Sequence, residues 1–282
     1  MLKERLIQYL LLALALTAVL SLAVITVFIL REGLPVLIEF GPIRFLTRSE
    51  WAPTQGQFGI LAMVVGSLWV TLGALLVGVP LGVAVAVFVT DYSPPLLAQV
   101  LRPAVQLLAG VPSVIYGFIG LKILVPLIRD SMGGAGLSVL AGALVLGIMV
   151  LPSVIAVSED SIRAVPQLYR DGALALGATH WQSLWRVVLP AAKSGIVASI
   201  VLGMGRAVGE TMAVIMVVGN SLQLPSSPLE AATTLTSNIG LEMAYASGAH
   251  RQALFATGIV LFAFIMLLNL VASAFRRRTI RA

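Results

Sequence analysis

The chain has 282 residues, of which 59% are hydrophobic and only 11% charged, whereas soluble domains carry roughly 25% charged residues. So few charges cannot cover a water-exposed surface, which excludes an ordinary soluble globular protein. The chain has no cysteine, which excludes disulfides, thiol chemistry and Cys-ligated metal.

The apolar residues fall into runs nearly free of ionisable side chains, separated by short segments rich in Pro, Gly and charge. A helix needs about 20 apolar residues to cross roughly 30 Å of hydrocarbon, so the runs at 6–30, 60–89, 104–128, 137–157, 195–219 and 253–275 predict six spans. The first run follows Lys3 and Arg5 and ends at Arg31-Glu32 without a small-residue cleavage site. It exceeds the roughly 7 to 15 apolar residues of a signal peptide and predicts a retained span. The second holds Pro80 between Gly78 and Gly82, which predicts a kinked or tilted helix. The expected architecture is an all-α integral membrane protein of about six transmembrane helices. Residues 1–59 form an N-terminal span with an external loop, and residues 60–282 form the transmembrane core.

The +6 net charge follows topology. With both termini cytoplasmic, that side holds Lys3, Arg5, Arg102, Arg163, Arg170, Arg186, Lys193, Arg276, Arg277, Arg278 and Arg281, eleven in all, against Arg31, Arg44, Arg48, Arg129 and Arg251 outside. This bias predicts both termini inside and basic side chains against anionic lipid headgroups, so nucleic acid is not an expected partner.

The internal loop, about 158–192, carries Tyr169-Arg-Asp-Gly-Ala-Leu-Ala-Leu-Gly-Ala-Thr-His-Trp181 after Pro166. Its helical spacing and the proline ahead of it predict a short amphipathic helix. Leu184 to Pro190 follow, and Pro190 is expected to end or bend the segment before the next span. Such a helix suits either an ordinary interfacial element or a docking one. The segment resembles the cytoplasmic EAA motif of ATP-binding-cassette importer permeases at the matching spacing: Asp171-Gly172-Ala173, then Gly177, then Val187, Leu189 and Pro190. Asp replaces Glu, Gly172 replaces the first Ala and Val replaces Ile. The resemblance implies that this loop couples to an ATPase subunit. The chain has no P-loop of its own, because none of Lys3, Lys122 and Lys193 follows a glycine. No cofactor is therefore expected in this chain, with ATP and Mg on a partner.

Three ionisable residues lie within the predicted spans: Lys122, Arg206 and Glu210. An intramembrane charge faces a pathway or a partner by default. Arg206 and Glu210 are four apart, which predicts one helix face and an ion pair, either structural or part of a pathway. Lys122, near the external end of its span, is expected to snorkel to the headgroups. Ser113 and Tyr116 either line the path or serve helix packing.

Arg206-Ala-Val-Gly-Glu-Thr-Met-Ala213 resembles the R-A-x-G-E-T-x-A signature of phosphate-specific (Pst) importer permeases. Ala109 to Leu121 resembles the same family's G-x-P-S-x-x-Y-G motif. Phe45-Leu46, Trp51, Pro53 and Phe58-Gly59 resemble the PstC-type subunit. The resemblance implies a type I importer (MetI-like) fold and a non-catalytic permease in a prokaryotic inner membrane. It implies a pathway with Arg206, Glu210, Thr211 and Ser113, and coupling through Asp171, Gly172, Ala173, Gly177, Leu189 and Pro190. Its implied partners are a PstA-like permease, two ATP-binding subunits and an external phosphate-binding protein, for which residues 31–59 and 220–250 are candidate docking segments. Glu210 would hold Arg206 while the site is empty.

An intramembrane protease is disfavoured, because His-Glu-x-x-His, Gly-x-Gly-Asp and Gly-x-Ser-Gly are all missing. A channel or secondary transporter would have no use for the EAA-like loop. Another oxyanion, such as molybdate, sulfate or phosphonate, is the alternative substrate.

Overall fold

The computed structural model describes residues 2–280, with side chains from 5 to 270. Lys3, Arg276, Arg277, Arg278 and Arg281, on which the expected orientation leans, lie outside the described side chains. Helix α1, Leu2–Phe40, continues past the expected end at Leu30. Beyond that point it buries Val36 in a cluster with Phe45, Trp51, Phe58 and Leu254, and the gain from this burial keeps the chain helical. Helix α2, Pro42–Thr47, leads to a hairpin of β1, Trp51–Ala52, and β2, Gln57–Phe58. Gly56 turns the hairpin at φ 68, a conformation other residues rarely adopt.

Helix α3, Leu61–Val87, runs through Pro80. The expected span at 104–128 divides in two. Helix α4, Pro95–Gly110, meets α5, Ser113–Ile119, and α6, Val125–Met132, at a bend of 94°. Pro112 forces the break by pushing Val111 into an extended conformation with ψ 126. The Tyr116 hydroxyl then donates at 2.8 Å to the Leu108 carbonyl, which also accepts the Val111 N–H at 3.3 Å, and so ties α5 back to the end of α4.

Helix α7, Val139–Arg163, begins at Ser138, whose hydroxyl accepts from the Ala141 N–H at 3.2 Å. Two short helices follow, α8, Gln167–Ala175, and α9, His180–Ser183, the second started by a Thr179/Gln182 capping box. Helix α10 is Leu189–Gly209 and α11 is Met212–Val217. Helix α12, Leu235–Glu242, precedes α13, Gly248–Ile280.

Pro190 does not end its helix. The chain stays helical over His180–Gly209, with a π-helical turn at Leu184–Val188 just before the proline. Similar turns at Gly120–Leu124 and Phe88–Tyr92 lie just before Pro126 and Pro94. At Pro126 and Pro190 the helix runs on through a residue that lacks the N–H and crowds the carbonyl four residues back, and the wider π turn relieves both. At Phe88–Tyr92 the helix ends instead, with Ser93 extended at ψ 132. The span expected at 195–219 correspondingly ends early, at Gly209.

Among the described residues, five helices are long and apolar enough to cross a membrane, and counting the bent α4/α5–α6 pair as one gives six. Helices α3 and α7 pack most closely. A Cβ on Gly73 would lie 2.7 Å from that of Ala143, and one on Gly82 would lie 2.7 Å from Val154 Cγ1. Helix α1 packs on α13, with Phe28 edge-on to Phe255 at 5.4 Å.

One end of the bundle gathers the hairpin, the start of α3 and the start of α13, joined where Glu242 accepts from Trp51 Nε1 at 2.9 Å and pairs with His250 Nε2 at 2.7 Å. Residues 220–250 are packed there rather than looped free. Ala232, Leu235 and Ser237 are buried, and the Leu235 N–H donates to Ser67 of α3 at 3.0 Å. The opposite end carries α8, α9, the end of α3 and the end of α7.

Candidate functional site

Arg206 lies in the last turn of α10, where a cation is favoured by the negative end of the helix dipole. The helix stops at Gly209, and Glu210 is extended at φ −71, ψ 131. The predicted shared face is therefore lost, and no salt bridge joins Arg206 to Glu210. The Glu210 carboxylate turns forward instead and accepts the Ala213 N–H at 3.2 Å, filling an open donor at the start of α11. The Glu210 carbonyl accepts from the Thr236 hydroxyl of α12 at 2.8 Å. Four-residue spacing predicts a pair only where the helix is continuous, and here each charge serves a different helix end.

Thr211 follows at the break, half-buried, with its methyl against Gly240: a Cβ there would meet Thr211 Cγ2 at 2.7 Å. Ser113 opens α5 just past the 94° bend and is also half-buried. The two recognised motifs meet one turn further on, where α5 packs on α11: a Cβ on Gly117 would lie 2.9 Å from the Ala213 Cα. Among the described residues Ser113 itself makes no side-chain hydrogen bond to Arg206, Glu210 or Thr211.

An open-sided cavity of about 660 Å³ is lined by Arg206, Gly205, Leu202, Ser153 of α7 and Asn269 of α13. Guanidinium, amide and hydroxyl together form a donor set suited to an oxyanion. Sequence reasoning missed Ser153 and Asn269. A signal for Asn269 exists, because it is the only amide in the run 253–275, and polar groups in spans rarely face lipid. Lys122 is exposed, 6.0 Å from the Phe118 ring centroid, and stands apart from this cavity.

At the other end, Pro166 caps α8, as its spacing predicts. Asp171 and Gly172 are exposed on α8, and Ala173 is half-buried. Gly177 leaves α8 at φ 84. Its N–H donates to Leu174 O at 2.9 Å and that of Ala178 to Ala173 O at 3.1 Å, the paired bonds of a Schellman turn. Leu189 and Pro190 open α10. Leu168, Leu176, Trp181 and Trp185 are exposed here, Leu176 by 91%, with the two indoles edge-to-face at 5.4 Å. Arg170, the residue before Asp171, turns the opposite way and forms a part-buried ion pair with Asp91. Burial pulls the Arg170 guanidinium below its ordinary value, yet a guanidinium stays charged at any relevant pH.

Residues 78–281 match the family described as the binding-protein-dependent transport system inner membrane component. The chain belongs to this permease family. Its relatives include the probable ABC transporter permease protein YqgH of Bacillus subtilis (strain 168), 41% identical over 93% of this chain and 88% of that one. The phosphate transport system permease protein PstC of Pasteurella multocida (strain Pm70) is 36% identical over 84% of this chain and 83% of that protein. The permease is thus of the PstC type, as its sequence resemblance implies. Among solved structures, an inward-facing MetNI methionine ABC transporter matches at a TM-score of 0.65 and 19% identity, covering 82% of this chain and 99% of that one. That likeness identifies the MetI-like importer fold. Apolar helices and family together make the permease a multi-pass inner-membrane protein.

Proposed function

We propose that this permease is one subunit of an ATP-driven importer of inorganic phosphate, forming half of the pathway and taking its energy from a separate ATPase. The observation that carries this reading is Arg206: a permanent cation in a membrane-crossing helix, held by a helix end rather than by a carboxylate, and facing a cavity with an amide and a hydroxyl. A guanidinium without a competing carboxylate presents its planar fork to phosphate oxygens. The PstC names of its relatives support phosphate over other oxyanions.

In this reading both termini are cytoplasmic, on the side of α8 and α9. The exposed Leu176, Trp181 and Trp185, together with Asp171, Gly172, Ala173 and Gly177, meet an ATP-binding subunit, since an apolar patch of this kind outside the bilayer marks an interaction site. Leu189 and Pro190 connect that surface to α10 and so to Arg206. A PstA-like permease completes the pathway, two ATP-binding subunits bind ATP and Mg, and an external phosphate-binding protein delivers the anion to the hairpin end. Glu210 fixes the break after Gly209 that leaves Arg206 in the last turn. Thr211 and Ser113 flank the path.

The test is ATP hydrolysis by the purified assembly in lipid, with its binding protein loaded with phosphate, sulfate or molybdate. Stimulation by phosphate alone, lost in Arg206→Gln with assembly retained, is the expected outcome. Stimulation by another oxyanion discards the substrate, and an assembly that recruits no ATPase discards the coupling.

A further inference from the structure

We propose that Arg170 and Asp91 form the link through which movement of α8 reaches the membrane helices, with Arg170 as a positioning residue for energy coupling. The inference rests on the proposed coupling of α8 and α9 to an ATPase.

Among the described residues, every side-chain hydrogen bond or ion pair that leaves α8 or α9 for another element comes from Arg170. Its Nη1 pairs with Asp91 at the end of α3, and its Nη2 donates to the Ile162 carbonyl at 3.4 Å near the end of α7. The remaining side-chain bonds of this segment stay inside it: Gln167 with Asp171, and Thr179 with Gln182. The pair is well shielded, with Arg170 and Asp91 side chains 19% and 13% exposed, so water and salt screen it less than a surface contact. A buried pair left with one partner costs far more than an exposed one, which favours the two elements moving together.

What Arg170 holds is a rigid unit. Asp91 lies in the π-helical turn that continues α3, and α3 is locked to α7 through glycines: a Cβ on Gly78 would lie 2.5 Å from Val150 Cγ2 and 2.7 Å from the Gly147 carbonyl. Close-packed elements transmit displacement without absorbing it. Leu184 and Val188 also touch this unit, packing with Ala86 and Ile162, but apolar contacts can slide. The ion pair fixes register.

The assembled transporter carrying Asp91→Cys and Arg170→Cys is bridged with a short bis-methanethiosulfonate, placed in lipid vesicles, and assayed for phosphate imported per ATP hydrolysed before and after reductant removes the bridge. The chain has no cysteine of its own, so the bridge has one site in it. The bridged form is expected to import phosphate at the wild-type ratio, and release of the bridge to cut that ratio by about tenfold while the ATPase stays bound. An unchanged ratio after release overturns the proposal, as does a bridged form that hydrolyses ATP without import or does not assemble. In a second arm, exchange of the charges by Asp91→Arg with Arg170→Asp is expected to restore import lost in Asp91→Arg alone, and no restoration counts against the link. Wild-type vesicles run alongside: if they import no phosphate, the reading of function fails rather than the link.

Discussion

The Glu210 carboxylate holds the Ala213 N–H at 3.2 Å and leaves Arg206 to the cavity. Two residues that the sequence places four apart are thus separated by a helix end, and their substitutions should part company. Glu210→Gln keeps a side-chain carbonyl oxygen where the bond is made and is expected to leave import near its wild-type rate. Glu210→Ala removes the acceptor and should cost about 1 kcal/mol, the typical value of a lost cap. Arg206→Gln removes charge-assisted bonds of about 1.5–3 kcal/mol, roughly a 10- to 100-fold fall in phosphate import below saturation. Equal losses in Arg206→Gln and Glu210→Gln would restore the ion pair as the functional unit.

Packing between α3 and α7 yields a stability prediction. Any side chain at Gly78 meets Val150 and the Gly147 carbonyl inside contact distance, and one of those neighbours is backbone, which cannot rotate away. Gly78→Ala is expected to destabilise the permease by about 1–3 kcal/mol, the usual cost of overpacking, read as a lower thermal midpoint in detergent. Gly172→Ala, where a Cβ would meet nothing within 4 Å, should leave the midpoint unchanged or raise it, since alanine favours a helix by up to about 1 kcal/mol over glycine.

The exit from α8 depends on Gly177, whose φ of 84 closes the Schellman turn. A Cβ in this conformation costs roughly 1–2 kcal/mol. Gly177→Ala is therefore expected to speed hydrogen exchange at Gly177 and Ala178, the two donors of that turn, and to weaken retention of the ATPase subunit. Slow exchange at both amides in the variant would show the turn to be indifferent to this residue.

Much of this architecture is legible in the sequence because bilayers reward long apolar runs, and the start of α8 after Pro166 follows from local chemistry alone. What sequence could not supply is where an apolar run breaks. Residues 104–128 read as one span, yet Pro112 divides them. Residues 195–219 read as another, yet Glu210 leaves the helix. Composition is nearly blind to such breaks, since the residues on both sides are equally apolar. Residues 220–250 read as an external docking segment, yet Thr233, Thr234, Ser237 and Asn238 within it are buried against the helices, with Thr233, Thr234 and Ser237 bonded among themselves. Of the cavity, only Arg206 was evident from sequence. Ser153 and Asn269 join it through tertiary contact between α7, α10 and α13.

The segment between α11 and α12 is expected to loosen in acid through Glu230. Its carboxylate accepts from the Ser226 N–H and the Ser226 hydroxyl, both at 2.8 Å. The Ser226 backbone bond is the largest cause, the hydroxyl the next, and together they hold Glu230 below its ordinary value of 4.5. A carboxylate lowered in the folded state stabilises fully above its unfolded value and loses that contribution as pH falls through the lowered one. The loss should therefore begin only below pH 4.5, with neutral conditions unaffected. Protection of the Ser226 amide from hydrogen exchange, taken relative to Glu230→Gln at each pH to cancel the intrinsic rate, is expected to be higher in the wild type at neutral pH and to converge with the variant in acid. A ratio that stays constant across this range would show that the Ser226 bonds do not depend on the charge.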